Sequence, residues 1–234
     1  MAIRQIVDII SNIVSQLNYT FVIDSVVDNG NGTYTLASEN TYYCSKYNKV
    51  TIGGLVYKIE GIVFNVSVTV RPFGHSGDPL LETSFELPAP AFFHGTVNSA
   101  NTEITKSIEI GLETYPIVYL NEILRERFVA DELSSLERTS PIKLYFLGLT
   151  SYGDNLNPDF LEEILKPMSN VETKFFEVLN KDTNIGLLTD DWTRTNIPRF
   201  ARTNENGETE LIFSEQLSGL EIEITIPINK CCDC

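Results

Sequence analysis

The strongest constraint on the fold is a segment near the C-terminus in which apolar and polar residues alternate. It spans residues 220–228 and reads Leu-Glu-Ile-Glu-Ile-Thr-Ile-Pro-Ile. Successive side chains of a β-strand point to opposite faces. The pattern therefore predicts a strand with an isoleucine face turned to the core, and an opposite, acidic face that carries Glu221, Glu223 and Thr225.

The composition allows a self-supporting core and disfavours tight binding of nucleic acid. The chain has 234 residues, of which 42% are hydrophobic and 10% aromatic, so we expect it to fold without metals or disulfides. Its formal net charge is −15. Binding of DNA or RNA relies on Lys and Arg that neutralise phosphates, and this chain is poor in both. An acidic surface does suit a channel through which DNA must slide without sticking.

The first residues predict an amphipathic helix. Apolar residues recur at helical spacing over residues 3–17, so residues 1–18 are interpreted as the opening helix of a larger body. We identify no secretory signal and no run of roughly 20 apolar residues that could cross a bilayer. The expectation is a protein made in the cytoplasm, with no membrane partner.

Residues 19–72 predict a separate all-β module. Short apolar runs alternate with turn residues, as in the Asp-Asn-Gly-Asn-Gly segment at 28–32 and the Gly-Gly pair at 53–54. Several short strands in so few residues bury their edges best as a small antiparallel barrel or sandwich. Pro and Gly are frequent over residues 73–90, which we predict to be a linker.

The remaining chain, residues 91–230, predicts a mixed α and β body. Apolar strands are expected at 115–120 and 140–149, and a long helix is expected to begin at Asn157 and to kink or split at Pro167. A loop around 190–192 precedes a hairpin and the closing strand. The predicted fold class is therefore α+β: a mixed or antiparallel sheet packed with helices, with the small all-β module inserted after the first helix.

No residue cluster in the sequence predicts catalysis or a cofactor. Residues 231–234 form a tail in which Cys231, Cys232 and Cys234 are weak candidates for a metal site, because a structural zinc site needs four ligands and adjacent cysteines close a tetrahedron poorly. A frayed, reduced tail is the alternative. His75 has Ser76 and Asp78 beside it, but neighbours in one loop rarely form a catalytic triad. We therefore predict no enzyme and no cofactor.

Two pairs of arginines are candidates for subunit contacts. Arg125 and Arg127 follow the first strand of the second body, and Arg199 and Arg202 open the last hairpin. Each pair can be a solvated surface or can form salt bridges to an acidic neighbouring subunit.

The order of elements resembles that of a known family of virion proteins. Over the opening helix and residues 91–228 the chain resembles the tail terminator and head-to-tail joining proteins of long-tailed bacteriophages, which pack helices against a mixed sheet. Residues 86–96, 119–128 and 217–228 are also similar to virion proteins from phages of Bacteroidetes-type hosts. The inserted β module departs from the minimal pattern of the family.

The resemblance implies a structural protein at the neck of a virion. Identical subunits would form a ring, with about six copies around the tail axis. The ring would cap the tail tube, bind the head connector and leave a conduit for genome DNA that is not tightly bound. Glu221 and Glu223 would then line the lumen.

A carbohydrate-binding adhesion module is the alternative function. It depends on the tyrosines of the β module, which could hold a glycan or could serve only as packing and cross-strand pairs. These residues are Tyr34, Tyr42, Tyr43, Tyr47 and Tyr57.

Overall fold

The structure is a computed structural model of the full chain. It describes residues 6–46, 48–109, 115–121, 127–130, 136–150, 160–183, 185–186, 191–203, 209–213 and 215–228. Side chains are described in these ranges except at residues 127–130, 136–138, 202–203 and 209–210. The tail at 231–234 and Tyr47 lie outside the described residues.

The chain opens with helix α1, Ile6–Val14. Its apolar stripe is fully used, because Ile6, Ile9, Ile10 and Ile13 are all buried. The predicted amphipathic helix is confirmed within residues 6–14. Its buried face packs on the second sheet described below, so α1 belongs to the larger body.

Seven antiparallel strands then form the first sheet. They are β1 (Tyr19–Val22), β2 (Ser25–Asp28), β3 (Tyr34–Ala37), β4 (Lys49–Ile52), β5 (Leu55–Val63), β6 (Ser67–Pro72) and β7 (Ser84–Leu87), in the order β1-β7-β4-β5-β6-β3-β2. A short 3₁₀ helix, Thr41–Tyr43, lies between β3 and β4.

The first sheet curls so strongly that its two edges meet along one chain segment. Strands β1 and β2 are the two edge strands, yet only residues 23 and 24 separate them in sequence. The backbone N–H of Ile23 donates to the Thr83 carbonyl and that of Asp24 donates to the Ala37 carbonyl, at opposite ends of the sheet order. The predicted small antiparallel β module is thus present as a curled sheet around its own core.

The linker predicted for residues 73–90 is shorter than expected, because it contains β7. Strand β7 lies between β1 and β4, and its Phe85 and Leu87 are buried in the core of the first sheet. Phe85 stacks on Phe21 at 4.6 Å between ring centroids. The alternation in Ser-Phe-Glu-Leu is that of a strand, but it is brief and the prolines at 88 and 90 mask it.

The second sheet holds the larger body together. The larger body contains the strands of this sheet and the helices between them. In chain order they are β8 (Ala91–Gly95), helix α2 (Val97–Glu109), β9 (Ile117–Asn121), β10 (Arg127–Ala130), β11 (Leu136–Leu149), a π-helix (Phe160–Leu165), helix α3 (Lys166–Leu179), β12 (Trp192–Ile197) and β15 (Leu217–Ile228). The sheet order is β12-β15-β11-β9-β8, and β10 also pairs with β11. Strands β8 and β9 are parallel and joined through α2, whereas the other pairs are antiparallel.

The α+β class and the mostly antiparallel sheets are confirmed. The predicted interruption of the long helix at Pro167 is also present, because the π-helix changes to α-helix at Lys166 and Pro167 lies in the first turn of α3. The predicted last hairpin is β13 (Ala201–Thr203) with β14 (Thr209–Leu211). Strand β12 differs from the sequence expectation, which places a loop around residues 190–192 and no strand after it before the hairpin.

One face of the second sheet packs against α1 and α3. The isoleucine face of β15 lies in this core, as the sequence predicted, and burial of such a side chain is worth about 1.5–3 kcal/mol. The core includes Ile6, Ile10 and Ile13 of α1, Met168, Val171, Phe175 and Leu179 of α3, and Val118, Leu144, Phe146, Leu220, Ile222, Ile224 and Ile226 of the strands.

The opposite face of the sheet is only half covered. Residues of α2 and of the segment near β13 and β14 pack over one end of it, around Tyr119, Leu147 and Leu217. Further along the strands the same face carries Lys143, Glu221 and Glu223 and meets solvent.

Polar and aromatic contacts fix the β module to α3. The Asn170 amide Nδ2 donates to the Tyr42 carbonyl at 2.8 Å, and the Lys174 ammonium lies 4.7 Å from the centroid of the Tyr19 ring. Tyr19 in turn stacks on Tyr43 at 3.7 Å. The module is therefore held against α3 by the 3₁₀ helix and β1.

Two glycines on the central strands provide a matched test of the fold. A Cβ on Gly219 of β15 would lie 1.9 Å from the Phe146 carbonyl oxygen, whereas a Cβ on Gly148 of β11 would meet Ile164 at an ordinary 3.7 Å. We expect Gly219→Ala to lower the free energy of unfolding by about 3 kcal/mol. Gly148→Ala should change it by less than about 1 kcal/mol. Urea denaturation measures both, and equal effects would contradict the described packing of β15 on β11.

Candidate functional site

The half-open face of the second sheet is the first candidate site, and strand register brings its residues together. Glu223 of β15 pairs with Lys143 of β11, and Glu221 pairs with Tyr145. Because partners in an antiparallel pair point to the same face, these four side chains share one surface. We call Lys143, Tyr145, Glu221 and Glu223 the polar face.

Lys143 lies between the two glutamates. Its Nζ is 3.0 Å from Glu221 Oε1 and also contacts Glu223 Oε1. The hydrogen bond that the ammonium donates to Glu223 raises the pKa of Lys143, against the opposing effect of partial burial, so the ammonium stays charged throughout the physiological range. The side chain of Glu221 is 17% exposed and that of Glu223 is 52% exposed.

Tyr145 completes the network on the other side of Glu221. Burial, followed by a hydrogen bond with Glu221, raises the pKa of Tyr145 well above its usual value, so the phenol remains a neutral donor. The Tyr145 ring stacks on Tyr119 at 5.6 Å. The predicted acidic face is therefore a mixed-charge surface, in which two carboxylates share the one ammonium of Lys143 and the more exposed Glu223 lies toward solvent.

Of the four predicted arginines, one has a described side chain. Arg199 is exposed in the turn after β12. Arg127 begins β10 and Arg202 lies in β13, but their side chains lie outside the described part, as does the whole of Arg125. Arg194 of β12, which the sequence did not single out, forms an ion pair with Glu172 of α3.

His75 has a structural role. Its Nε2 lies 2.7 Å from the Val56 carbonyl oxygen, and its Nδ1 accepts a hydrogen bond from the Gly77 backbone N–H at 3.0 Å. The Tyr57 ring meets the imidazole edge at 4.8 Å. Both ring nitrogens thus bind backbone and hold the loop before β7.

The cysteine candidates are not brought into a described site. Cys231, Cys232 and Cys234 lie outside the described residues. Cys44 is fully buried in the β module, and burial raises the pKa of its thiol to about 12, which keeps it protonated and unreactive. Within the described ranges no group of three or more His, Cys, Asp or Glu side chains is placed to hold a metal ion.

The tyrosines of the β module do not form an exposed platform. Tyr57 is fully buried, Tyr34 and Tyr43 are half-buried, and Tyr42 is 40% exposed. Tyr43 packs on Tyr19 at the junction with α3. In the described part of this set, packing is the observed role.

A groove between α3 and the edge strand β12 is the second candidate site. It encloses about 790 Å³ and its walls include Phe176, Asn180, Ile185 and Trp192. The isolated bridge from Ile185 to Ile228, with a hydrogen bond from the Gly186 N–H to the Pro227 carbonyl, sets one end of the groove against β15.

An ion pair between a buried carboxylate and an exposed guanidinium lies in the wall of this groove. The Glu172 side chain is 8% exposed, and its Oε2 lies 3.1 Å from Nη1 of Arg194. Arg194 also donates to the Ser169 hydroxyl. Burial raises the pKa of Glu172, and the neighbouring Arg194 charge opposes that rise.

Sequence reasoning missed this groove, although two signals point to it. Glu172 is a lone carboxylate within the apolar stripe of α3, which otherwise buries Met168, Val171, Phe175 and Leu179. Trp192 and Arg194 are two residues apart on β12 and so share a face. Only the pairing of β12 with β15 shows that this face is turned to α3.

Comparison with known proteins finds no match for this chain. The chain matches no protein-family model, no curated protein sequence and no solved structure. In the described part of the chain, no helix combines the length and the apolar character required to span a membrane.

The ion pairs of the polar face should contribute to stability in a pH-dependent way. Lys143→Met should lower the free energy of unfolding by about 1 kcal/mol at pH 7, because Glu221 and Glu223 then face each other without the ammonium between them. Because its glutamate partners raise the pKa of Lys143, this contribution is lost as the pH rises through that pKa, so at a second, strongly alkaline pH the difference from the parent protein should shrink toward zero.

Urea denaturation at the two pH values measures the effect, with Lys106→Met on the exposed surface of α2 as the control. A loss of the same size at both pH values would contradict the ion-pair account.

Proposed function

We propose that this chain is a structural virion protein that forms a ring at the neck of a long-tailed bacteriophage. The ring caps the tail tube, binds the head connector and leaves a conduit for genome DNA. The observation that carries the proposal is the asymmetry of the second sheet, with one face sealed by α1 and α3 and the other face half open, polar and acidic at Glu223.

The open edge of the sheet supports assembly into a ring. Strand β12 lies at the end of the sheet order and, in the described part of the chain, pairs only with β15. Its residues are exposed except for the half-buried Ile197. An unprotected edge strand is a template for pairing with another chain, and pairing between unlike surfaces of identical subunits closes a ring when the rotation closes.

The charge supports a conduit that does not retain DNA. The chain has a net charge of −15, and Glu223 presents a carboxylate that is 52% exposed on the polar face. Phosphates near such a surface are repelled within about one Debye length, about 8 Å at physiological salt. Because Glu223 is the more exposed of the two glutamates that share Lys143, we assign the lumen role chiefly to Glu223.

The remaining candidates fit the outside of the ring. Arg125, Arg127, Arg199 and Arg202 provide positive charges for an acidic neighbour, which in this assembly is a second copy, the tail tube protein or the head connector. The β module, joined to α3 through its 3₁₀ helix, would lie on the rim. The site of action is then the virion, after assembly in the host cytoplasm.

Mass in solution tests the ring directly. Light scattering of the purified protein, alone and with the tail tube protein, should give about six times the 26.3 kDa of one chain. Negative-stain electron microscopy should show rings with a central hole. A 26.3 kDa monomer that binds neither the tube protein nor the connector would overturn the proposal.

A charge reversal tests the conduit separately. Glu223→Lys rings should form normally but retain duplex DNA in a filter-binding assay at low salt, because a ring of lysines attracts phosphates. The matched control is Glu103→Lys on the exposed side of α2, which should not retain DNA. Equal retention by both variants would place Glu223 away from the lumen while leaving the ring intact.

A further inference from the structure

We propose that the groove between α3 and β12 binds a neutral saccharide, whose pyranose ring packs against Trp192 and whose hydroxyls hydrogen-bond to Glu172 and Asn180. The inference goes beyond the proposed neck function and does not depend on it. The groove lies on the helix side of the second sheet, because Trp192 pairs with Ile224 and Arg194 pairs with Ile222, whereas the polar face lies on the opposite side.

The size of the groove suits a small ligand. At about 790 Å³ it falls within the range of roughly 300–1,000 Å³ that is typical of ligand pockets. Its lining combines the buried apolar side chains of Leu179 and Ile185 with exposed polar residues such as Glu177 and Asn180. A pocket with an apolar base and a few converging polar groups is the usual form of a ligand site.

One wall of the groove is an exposed aromatic surface. Trp192 is 47% exposed, although large aromatic side chains are usually well buried, and its ring lies 4.9 Å from that of the half-buried Phe176 at an angle of 31°. The face of an aromatic ring is electronegative and attracts the slightly positive C–H groups of a sugar ring. Trp192 therefore offers an exposed aromatic surface on which a sugar ring can stack.

The other wall contains an incompletely paired carboxylate. Glu172 is 6% exposed, and in the described part of the chain its only polar partner is Arg194, which reaches Oε2. A carboxylate can accept about four hydrogen bonds, so Glu172 has spare acceptor capacity beside the groove. Hydroxyls of a ligand in the groove can donate to this carboxylate.

The charges around the groove favour a neutral ligand. Arg194 already neutralises Glu172, so a cationic ligand would have to sit beside the guanidinium. An anionic ligand would meet Glu177, which also lines the groove, and a chain of net charge −15. A polyhydroxylated neutral molecule satisfies the donors and acceptors of Glu172, Arg194 and Asn180 without adding charge.

The chain provides its own probe for this site. Trp192 is the single tryptophan of the protein, so intrinsic tryptophan fluorescence reports on the groove alone. We would titrate the full-length protein with maltotriose, cellotriose and N,N′-diacetylchitobiose to about 10 mM, with choline and galacturonate as cationic and anionic comparisons, and probe an array of neutral glycans with the labelled protein.

The proposal predicts a saturable change in tryptophan emission with at least one neutral saccharide, which sodium chloride does not weaken. No response to any neutral saccharide in either assay would overturn it. A response to choline or galacturonate alone would also overturn it, in favour of a charged ligand.

Groove variants then locate the binding. Glu172→Gln and Asn180→Ala should each weaken saccharide binding about tenfold, the effect of losing one good hydrogen bond to the ligand. Phe73→Ala, which removes an exposed aromatic side chain from the β module, is the control and should bind normally. Urea denaturation checks that each variant folds, and Asn180, exposed at the end of α3, keeps the test valid if Glu172→Gln fails to fold. Unchanged affinity in the folded groove variants would contradict the assignment.

Discussion

The pairing of β15 with β11 is the interaction on which the rest of the structure depends. The register runs without a break from Arg138 opposite Ile228 to Leu149 opposite Leu217. Since side chains alternate, a slip of one residue would turn the isoleucine face to solvent and drive Glu221 and Glu223 into the core under α1 and α3. The same register brings Lys143 to the two glutamates, and it leaves the other edge of β15 to pair with β12. Helix packing, the polar face and the groove all follow from this one ladder.

The sequence pattern is sufficient to predict an element and its buried face where only one face is buried and the patterned segment is long. The isoleucines of β15 and of α1 gave both the type of element and its buried face, and Pro167 marked the change from π-helix to α3. The pattern is insufficient to predict a strand that is short or exposed. Phe85 and Leu87 gave too brief an alternation beside two prolines, and β12 has almost no buried residue to set a pattern. Lys143 could not be assigned to Glu221 and Glu223 either, because a cross-strand pair depends on register between segments about 80 residues apart.

The edge strand β12 links the two candidate sites. Thr193 and Thr195 pair with Glu223 and Glu221 and extend the polar face, whereas Trp192 and Arg194 point to α3 and form the groove. One exposed strand thus contributes to two surfaces of different character. In the proposed ring the polar face is turned to the lumen and subunits pair through the free edge of β12, which would leave the helix side accessible, so a ring and a saccharide site are compatible on a single subunit.

Native-state hydrogen exchange tests the central claim that the β11–β15 pair is the most stable part of the structure. The account predicts that amides of 144–147 and 219–224 exchange most slowly, with an opening free energy equal to that of global unfolding, because in these ranges the strands are paired on both sides and covered by the main core. Amides of β5 and β6 in the β module should open at lower free energy. The opposite ranking, with the β module protected longer than β11 and β15, would contradict the account.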